Sequence, residues 1–229
     1  MTTMSRPGAA SIRQRDPERT RQDILDVAIK EFAARGYSGA RVDEIAAKTS
    51  ATKRMIYYYF GGKEQLYMAV LEHVYSVARE AERHIDPDSL DPVVAIRQLA
   101  ELTFDHHESH PDFIKIVAAE NINNARFIAQ SKALAALNTP AVSVADRILE
   151  RGYASGVFRR RVDAIDLHMM ISAFCYFRMS NRHTFGALFG RDMLDPGRRD
   201  RYREMIGDLI TSYLTGDQPR QRKNATASR

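Results

Sequence analysis

Between residues 41 and 63 the chain gathers side chains that share one chemistry. Arg41, Lys53, Arg54 and Lys63 are cations, and Thr52, Tyr57 and Tyr59 carry hydroxyls. Such a set suits a polyanion, because guanidinium and ammonium groups meet phosphate oxygens and hydroxyls donate to them. Arg and Lys also match the acceptor edge of guanine. Tyr58 stands between the other two tyrosines. At least one of the three rings is expected to pack inward, and Tyr57 and Tyr59 rather than Tyr58 are assigned to contact. The plain alternative for Lys53 and Arg54 is an ordinary solvated helix face.

Other reactive types are sparse. His106, His107 and His110 cluster beside Asp105 and Glu108. His106 and His110 fall one helical turn apart, a spacing that can hold a metal, but the Glu of a His-Glu-x-x-His protease pattern is missing. A solvated helix end is the preferred reading. Cys175, the single cysteine, lies in an apolar segment and reads as buried rather than nucleophilic. It excludes an internal disulfide framework and a Cys-based zinc site. Arg159-Arg160-Arg161 reads as a solvated loop run. No catalytic constellation and no Gly-rich phosphate loop is found, so neither an enzyme nor a cofactor is expected.

The elements that must position these groups read as helical almost throughout 229 residues, 44% of them hydrophobic and 28% charged. No strand alternation, fixed-period repeat, membrane-length apolar run or secretory leader is visible. Residues 1–63 carry a net +5 and 217–229 a net +3, against −3 for 64–216. One basic end on a mildly acidic body suggests that only that end meets a polyanion. The first helix is expected from Asp16-Pro17 to Gly36, with Ile24, Ala28 and Phe32 as its buried stripe. Short helices follow at about 42–48 and 53–58, joined by a turn at Thr49-Ser50-Ala51, and a long helix runs from Lys63 to about residue 84. Further helices are expected near 92–109, 111–122, 125–136, 140–155, 163–188 and 197–214.

Three helices with a tight turn between the second and third form a helix-turn-helix, whose second short helix enters the major groove of DNA. Ala46 and Ala47 supply small residues for the crossing, and Thr52 can cap the helix that carries Lys53 and Arg54. The runs Phe32-Ala-Ala-Arg-Gly-Tyr37, Val42-Asp-Glu-Ile-Ala46, Ile56-Tyr-Tyr-Tyr-Phe60 and Lys63-Glu-Gln-Leu66 resemble the N-terminal domain of TetR-family regulators over about residues 17–66. The resemblance implies an all-α homodimer with a DNA-binding domain, a variable ligand-binding domain and repression relieved by a small molecule. The chain departs from the family pattern at Arg41, where Thr usually caps the second helix, and at Ser50, where Gly usually turns the chain. It departs again at Gly61-Gly62 for Pro-Ser and at Tyr59 for His.

The expected organisation is a basic arm (1–15), a helix-turn-helix domain (16–62), a helical ligand-binding and dimerisation domain (63–215) and a basic tail (216–229). The arm, with Arg6, Arg13 and Arg15, is either inert or reaches the minor groove. The resemblance places the dimer interface on roughly 163–188 and 197–214. A ligand pocket is expected among the middle helices, with Phe104, Phe113, Ile116, Val117, Glu120, Asn121, Phe127, Phe174 and Arg178 as candidates. The expected partners are double-stranded DNA carrying a palindromic operator, a second copy of the chain and a small-molecule effector, in the cytoplasm and without a membrane. Two competing functions are a DNA-binding protein controlled by a partner or without an effector, and an all-α metal-dependent enzyme built on the His cluster.

Overall fold

The computed structural model describes residues 16–83 and 85–217. The expected arm, and the expected tail beyond residue 217, lie outside the described residues. Among these the secondary structure is wholly helical, as expected for an all-α chain. The chain divides into two compact units between Tyr67 and Met68.

The first unit holds α1 (Pro17–Gly39), α2 (Val42–Ala47), α3 (Lys53–Phe60) and the start of α4 (Lys63–Arg83). Asp16 accepts from the Glu18 N–H and so caps α1, with proline in the first turn. Gly36 sits at φ +64, which ends the regular helix where the sequence places the end. Buried Ile24, Ala28, Phe32, Ile45, Ile56, Phe60, Leu66 and Tyr67 supply the apolar interior. Tyr67 meets Phe32 edge-on at 4.8 Å and Tyr37 at 5.2 Å. These contacts hold the first turn of α4 to the first unit. Buried Glu31 receives Arg35 at 3.0 Å and Lys48 at 2.6 Å, so an ion pair ties the end of α2 to α1.

The second unit contains the rest of α4, α5 (Pro92–Ser109), α6 (Pro111–Ile122), α7 (Lys132–Ala154), α8 (Ala164–Ser180), α9 (Arg182–Phe189) and α10 (Arg199–Thr215). Its core joins Ile96, Leu99 and Phe104 of α5 to Ile148 of α7, Leu167 and Ile171 of α8 and Ile206 and Ile210 of α10. Charges line the α5–α10 seam: Arg203 reaches Glu101 at 2.6 Å and Asp105 at 3.0 Å, and Arg97 pairs with Asp208.

Two expectations change here. The helices expected at 125–136 and 140–155 are one, α7, because the start is delayed and the join at 137–139 stays helical. Asn124 and Ala125 take left-handed φ values of 57 and 53, and Ser131 caps α7 by accepting from the Leu134 N–H. The Ala- and Leu-rich run from Lys132 then favours continued helix. The helix expected at 163–188 is two, broken at Asn181 (φ −100, ψ 6). The Asn181 N–H still closes α8 on Phe177 O at 3.0 Å, and Asn181 O accepts from the Phe185 N–H of α9 at 2.9 Å. Arg159-Arg160-Arg161 is the solvated loop run expected, with Arg159 and Arg161 exposed. The Arg159 and Arg160 N–H groups donate to Leu214 O at 2.8 and 3.1 Å. Arg161 lies 4.7 Å over the Tyr153 ring. Cations here meet the negative end of α10.

Gly152 on α7 faces the buried Phe158 ring so closely that a Cβ would overlap it. Gly152→Ala is expected to destabilise the fold by about 1–3 kcal/mol, seen as a lowered thermal midpoint. An unchanged midpoint would show that the ring moves freely.

Candidate functional site

Three features build the α3 surface. The turn before it is held by Thr49, whose hydroxyl donates to Ala46 O at 3.2 Å and accepts from the Ala51 N–H at 3.2 Å. Among the described residues the non-glycine left-handed φ values fall at Asn124 and Ala125. Ser50 therefore replaces the usual glycine without strain, because the turn takes a shape that needs no left-handed residue. Thr52 then accepts from the Met55 N–H at 3.3 Å and caps α3. Ile56 and Phe60 are the buried anchors, which rolls the remaining side chains outward.

Arg41, Thr52, Lys53 and Arg54 are exposed. Arg41 precedes α2 without giving it a side-chain cap, so the departure from Thr does lose that bond. Asp43 and Glu44 in the first turn offset part of the loss. Lys53 Nζ pairs with Asp43 at 2.9 Å, and that bond raises its pKa above the usual lysine value. Lys63 is half-buried: its ammonium lies 4.7 Å over the Tyr37 ring and 3.5 Å from Ser38 O, and burial lowers its pKa. The tyrosines differ from expectation. Tyr58 is 83% exposed and Tyr57 46%, while Tyr59 is half-buried with its ring 5.3 Å from Tyr58. None packs fully inward, since Ile56 and Phe60 already fill the interior positions. Tyr58 thus joins the exposed face; the helical spacing of Ile56 and Phe60 was the signal that placed it there.

A cavity of about 340 Å³ opens in the second unit. Phe113, Val117 and Asn121 line it. The other six candidates are placed elsewhere. Phe104 and Ile116 are buried, and Phe174 packs against the core. Glu120 braces the following loop, accepting from the Phe127 and Ile128 N–H groups at 3.2 and 3.3 Å, with Phe127 buried beside it. Buried Arg178 pairs with Glu108 at 2.9 Å and stacks 4.5 Å over Phe104. The wall instead draws on Tyr75, Arg79 and Glu82 of α4, His106 and His107 of α5, and His168 and Tyr176 of α8. The solvated reading of the His cluster is therefore corrected. His106 and His107 are buried, because Phe113 crosses them at 5.4 and 5.6 Å. Nothing in the sequence pairs α4 with these histidines, so Arg79 and Glu82 could not be found there. Cys175 is buried, and desolvation pushes its thiol up to about 12, which leaves it inert.

The family profile described as "Bacterial regulatory proteins, tetR family" matches residues 24–70, and "Tetracyclin repressor-like, C-terminal domain" matches 92–210. The chain belongs to the TetR family of transcriptional regulators. It is a DNA-binding regulator and not an enzyme, of a family that acts as dimers. The repressor NicS of Pseudomonas putida is 37% identical over 203 residues, 89% of this chain and 96% of that one. The repressor SCO4008 of Streptomyces coelicolor is 35% identical over 109 residues, 47% of this chain and 53% of its own length. A linker-substituted form of the HlyIIR protein superimposes with a TM-score of 0.59 at 25% identity, over 88% of this chain and 100% of that one. PfmR of Thermus thermophilus shares the fold at a TM-score of 0.58 and 22% identity, over 83% of this chain and 98% of that one. No helix of the described residues is long and apolar enough to cross a membrane.

The Asp43 carboxylate holds the Lys53 ammonium in an ion pair. Asp43→Asn is expected to strengthen duplex binding several-fold at low salt, with the gain shrinking as salt rises. Fluorescence anisotropy on a labelled duplex measures it; a weaker complex would mean that Asp43 positions Lys53 for contact instead.

Proposed function

We propose that this chain is a homodimeric repressor that occupies a palindromic operator and leaves it when a small molecule fills the cavity of the second unit. The observation that carries the DNA half is the exposed α3 face, where Thr52, Arg54, Tyr57 and Tyr58 stand clear of the interior with Lys53 beside them. Helix α3 is the recognition helix. Lys53 and Arg54 reach base edges or adjacent phosphates, while Arg41, Tyr59 and Lys63 hold the backbone on either side. Lys63 first has to leave the Tyr37 ring. NicS and SCO4008 are both named as repressors, which supports the direction of control. An operator on the chromosome places the protein in the cytoplasm.

Pairing follows from the apolar surface that α8, α9 and α10 leave open. Ile165, Phe177, Leu188, Phe189 and Leu209 are each about half exposed or more. Such a patch on helices marks an association surface. A twofold pair also meets the geometry of DNA, since recognition helices must sit about 34–36 Å apart to read successive major grooves. The cavity supports the effector half, being of small-molecule size with mostly apolar walls.

Arg54→Ala is expected to weaken operator binding by about tenfold or more while the dimer persists, because one bidentate base contact is worth about 1–3 kcal/mol. A mobility-shift titration on the operator selected from random duplexes reads this; unchanged affinity removes Arg54 from the interface. Leu209→Asp should yield a monomer by sedimentation and abolish operator binding, since half a palindrome holds poorly. A dimer that survives Leu209→Asp would move the pairing surface elsewhere.

A further inference from the structure

Two buried polar atoms on the cavity wall lack a partner. Arg79 Nε and His106 Nε2 are shielded from solvent and unbonded. Each residue is 8% exposed, and both line the cavity. Native interiors leave few such atoms open, and here two belong to residues that line one cavity. Arg79 is anchored on its other side, its Nη1 donating to both Glu82 oxygens at 2.8 and 2.7 Å. The guanidinium is thus held in place with Nε–H left over as a donor.

Burial favours the neutral form of the imidazoles around it. Burial pulls His106 down to about 3, with repulsion from His110, His107 and Arg79 adding to it. Burial also pulls His107 down to about 4, and His168 is lowered by burial and by Arg79. His107 Nδ1 lies 2.8 Å from Thr103 O, and a carbonyl only accepts, so Nδ1 carries the proton and Nε2 keeps a lone pair. Facing these rings are Tyr75, Arg79 and Glu82 from α4, His110 beyond α5, and His168 and Tyr176 from α8. Among the described residues lining the cavity, Glu82 is the single carboxylate and it already offsets Arg79. The wall is therefore close to electrically neutral, rich in donors and able to take up protons.

We propose that the cavity binds a small aromatic molecule bearing an oxyanion such as a carboxylate, which accepts from Arg79 Nε, and that an imidazole of the His106–His107 pair takes a proton from solvent as the anion enters. The walls set the shape: Phe113 meets Tyr75 edge-on at 5.4 Å and both imidazoles at similar range, which leaves ring faces and edges for a flat ligand. Charge sets the proton. An anion alone leaves a net charge in a low-dielectric site, and the same anion stabilises the neighbouring imidazolium. Binding and proton uptake are then linked: the bound-state pKa lies above the free-state value, so affinity is greatest at low pH and is lost as pH rises through the bound-state value. This ligand class rests on the reading of the cavity as the effector site.

Isothermal titration calorimetry on the full chain tests it, with benzoate as the probe and benzamide as its neutral counterpart, in two buffers of different ionisation heat. Benzoate is expected to bind at least about tenfold tighter than benzamide, the preference an added ionic contact gives. Proton uptake per benzoate should rise toward one, and affinity improve, from about pH 8 to about pH 5.5. Arg79→Gln combined with Glu82→Gln removes both charges at similar volume, and should erase the preference for benzoate while keeping the wild-type melting transition. If that pair fails to fold, His106→Gln serves in its place and should cut the proton uptake. Equal affinity for benzamide, a heat independent of buffer, or no binding of either probe at millimolar concentration overturns the ligand class. A mobility shift with the same probe separates the two ideas. Benzoate that binds as expected but leaves the operator complex intact overturns the effector reading alone.

Discussion

Helices of six and eight residues do not persist in water alone, because nucleation costs more than so few hydrogen bonds return. The outward face of α3 therefore depends on the apolar interior that Ile45, Ile56 and Phe60 share with Ile24, Ala28, Phe32 and Tyr67. Ile56 and Phe60 occupy one face of α3, and that choice alone decides which residues face outward. The Glu31 pairs with Arg35 and Lys48 fix the end of α2 on the same scaffold. Thr49 and Thr52 then set the turn and the first turn of α3 with hydroxyls, where a glycine would otherwise serve.

The charges of this surface are held before any DNA arrives. Lys53 is clamped by Asp43, and Lys63 rests on Tyr37. Holding a long cation in one place lowers the entropy it loses on binding, but each clamp also has to be released or shared. Arg54 and Arg41 carry no ion pair among the described residues, so neither is held by such a clamp.

Buried charge in the second unit follows a different rule. An ion taken out of water survives only with partners. Arg178 is well supplied, with Glu108 on one side and the Phe104 and Tyr202 rings on the other. Its role is to lock α8 onto α5. Arg79 is supplied on one side only, by Glu82. The contrast between the two arginines is what separates a structural pair from a wall with an open donor.

Much of this protein was legible in its residues. Capping side chains, proline breaks and apolar spacing placed α1 to α6 nearly to the residue, because those signals are local. The outward face of α3 was legible for the same reason: α3 is short, and its two inward anchors lie four apart. Tyr58 was misplaced among three like neighbours, since composition does not say which ring faces out until the interior is filled. The second unit yielded less. Its cavity is walled by residues from four helices, more than 100 positions apart in the chain between Tyr75 and Tyr176. Glu120 and Arg178 looked like ligand groups by type, and only packing showed that a loop and Glu108 had already taken them. The sequence by itself determined the short helices of the first unit and its family, because that information sits within one short stretch. Only the tertiary structure decided what the cavity offers a ligand, because an unpaired buried atom is defined by what every neighbouring helix fails to supply.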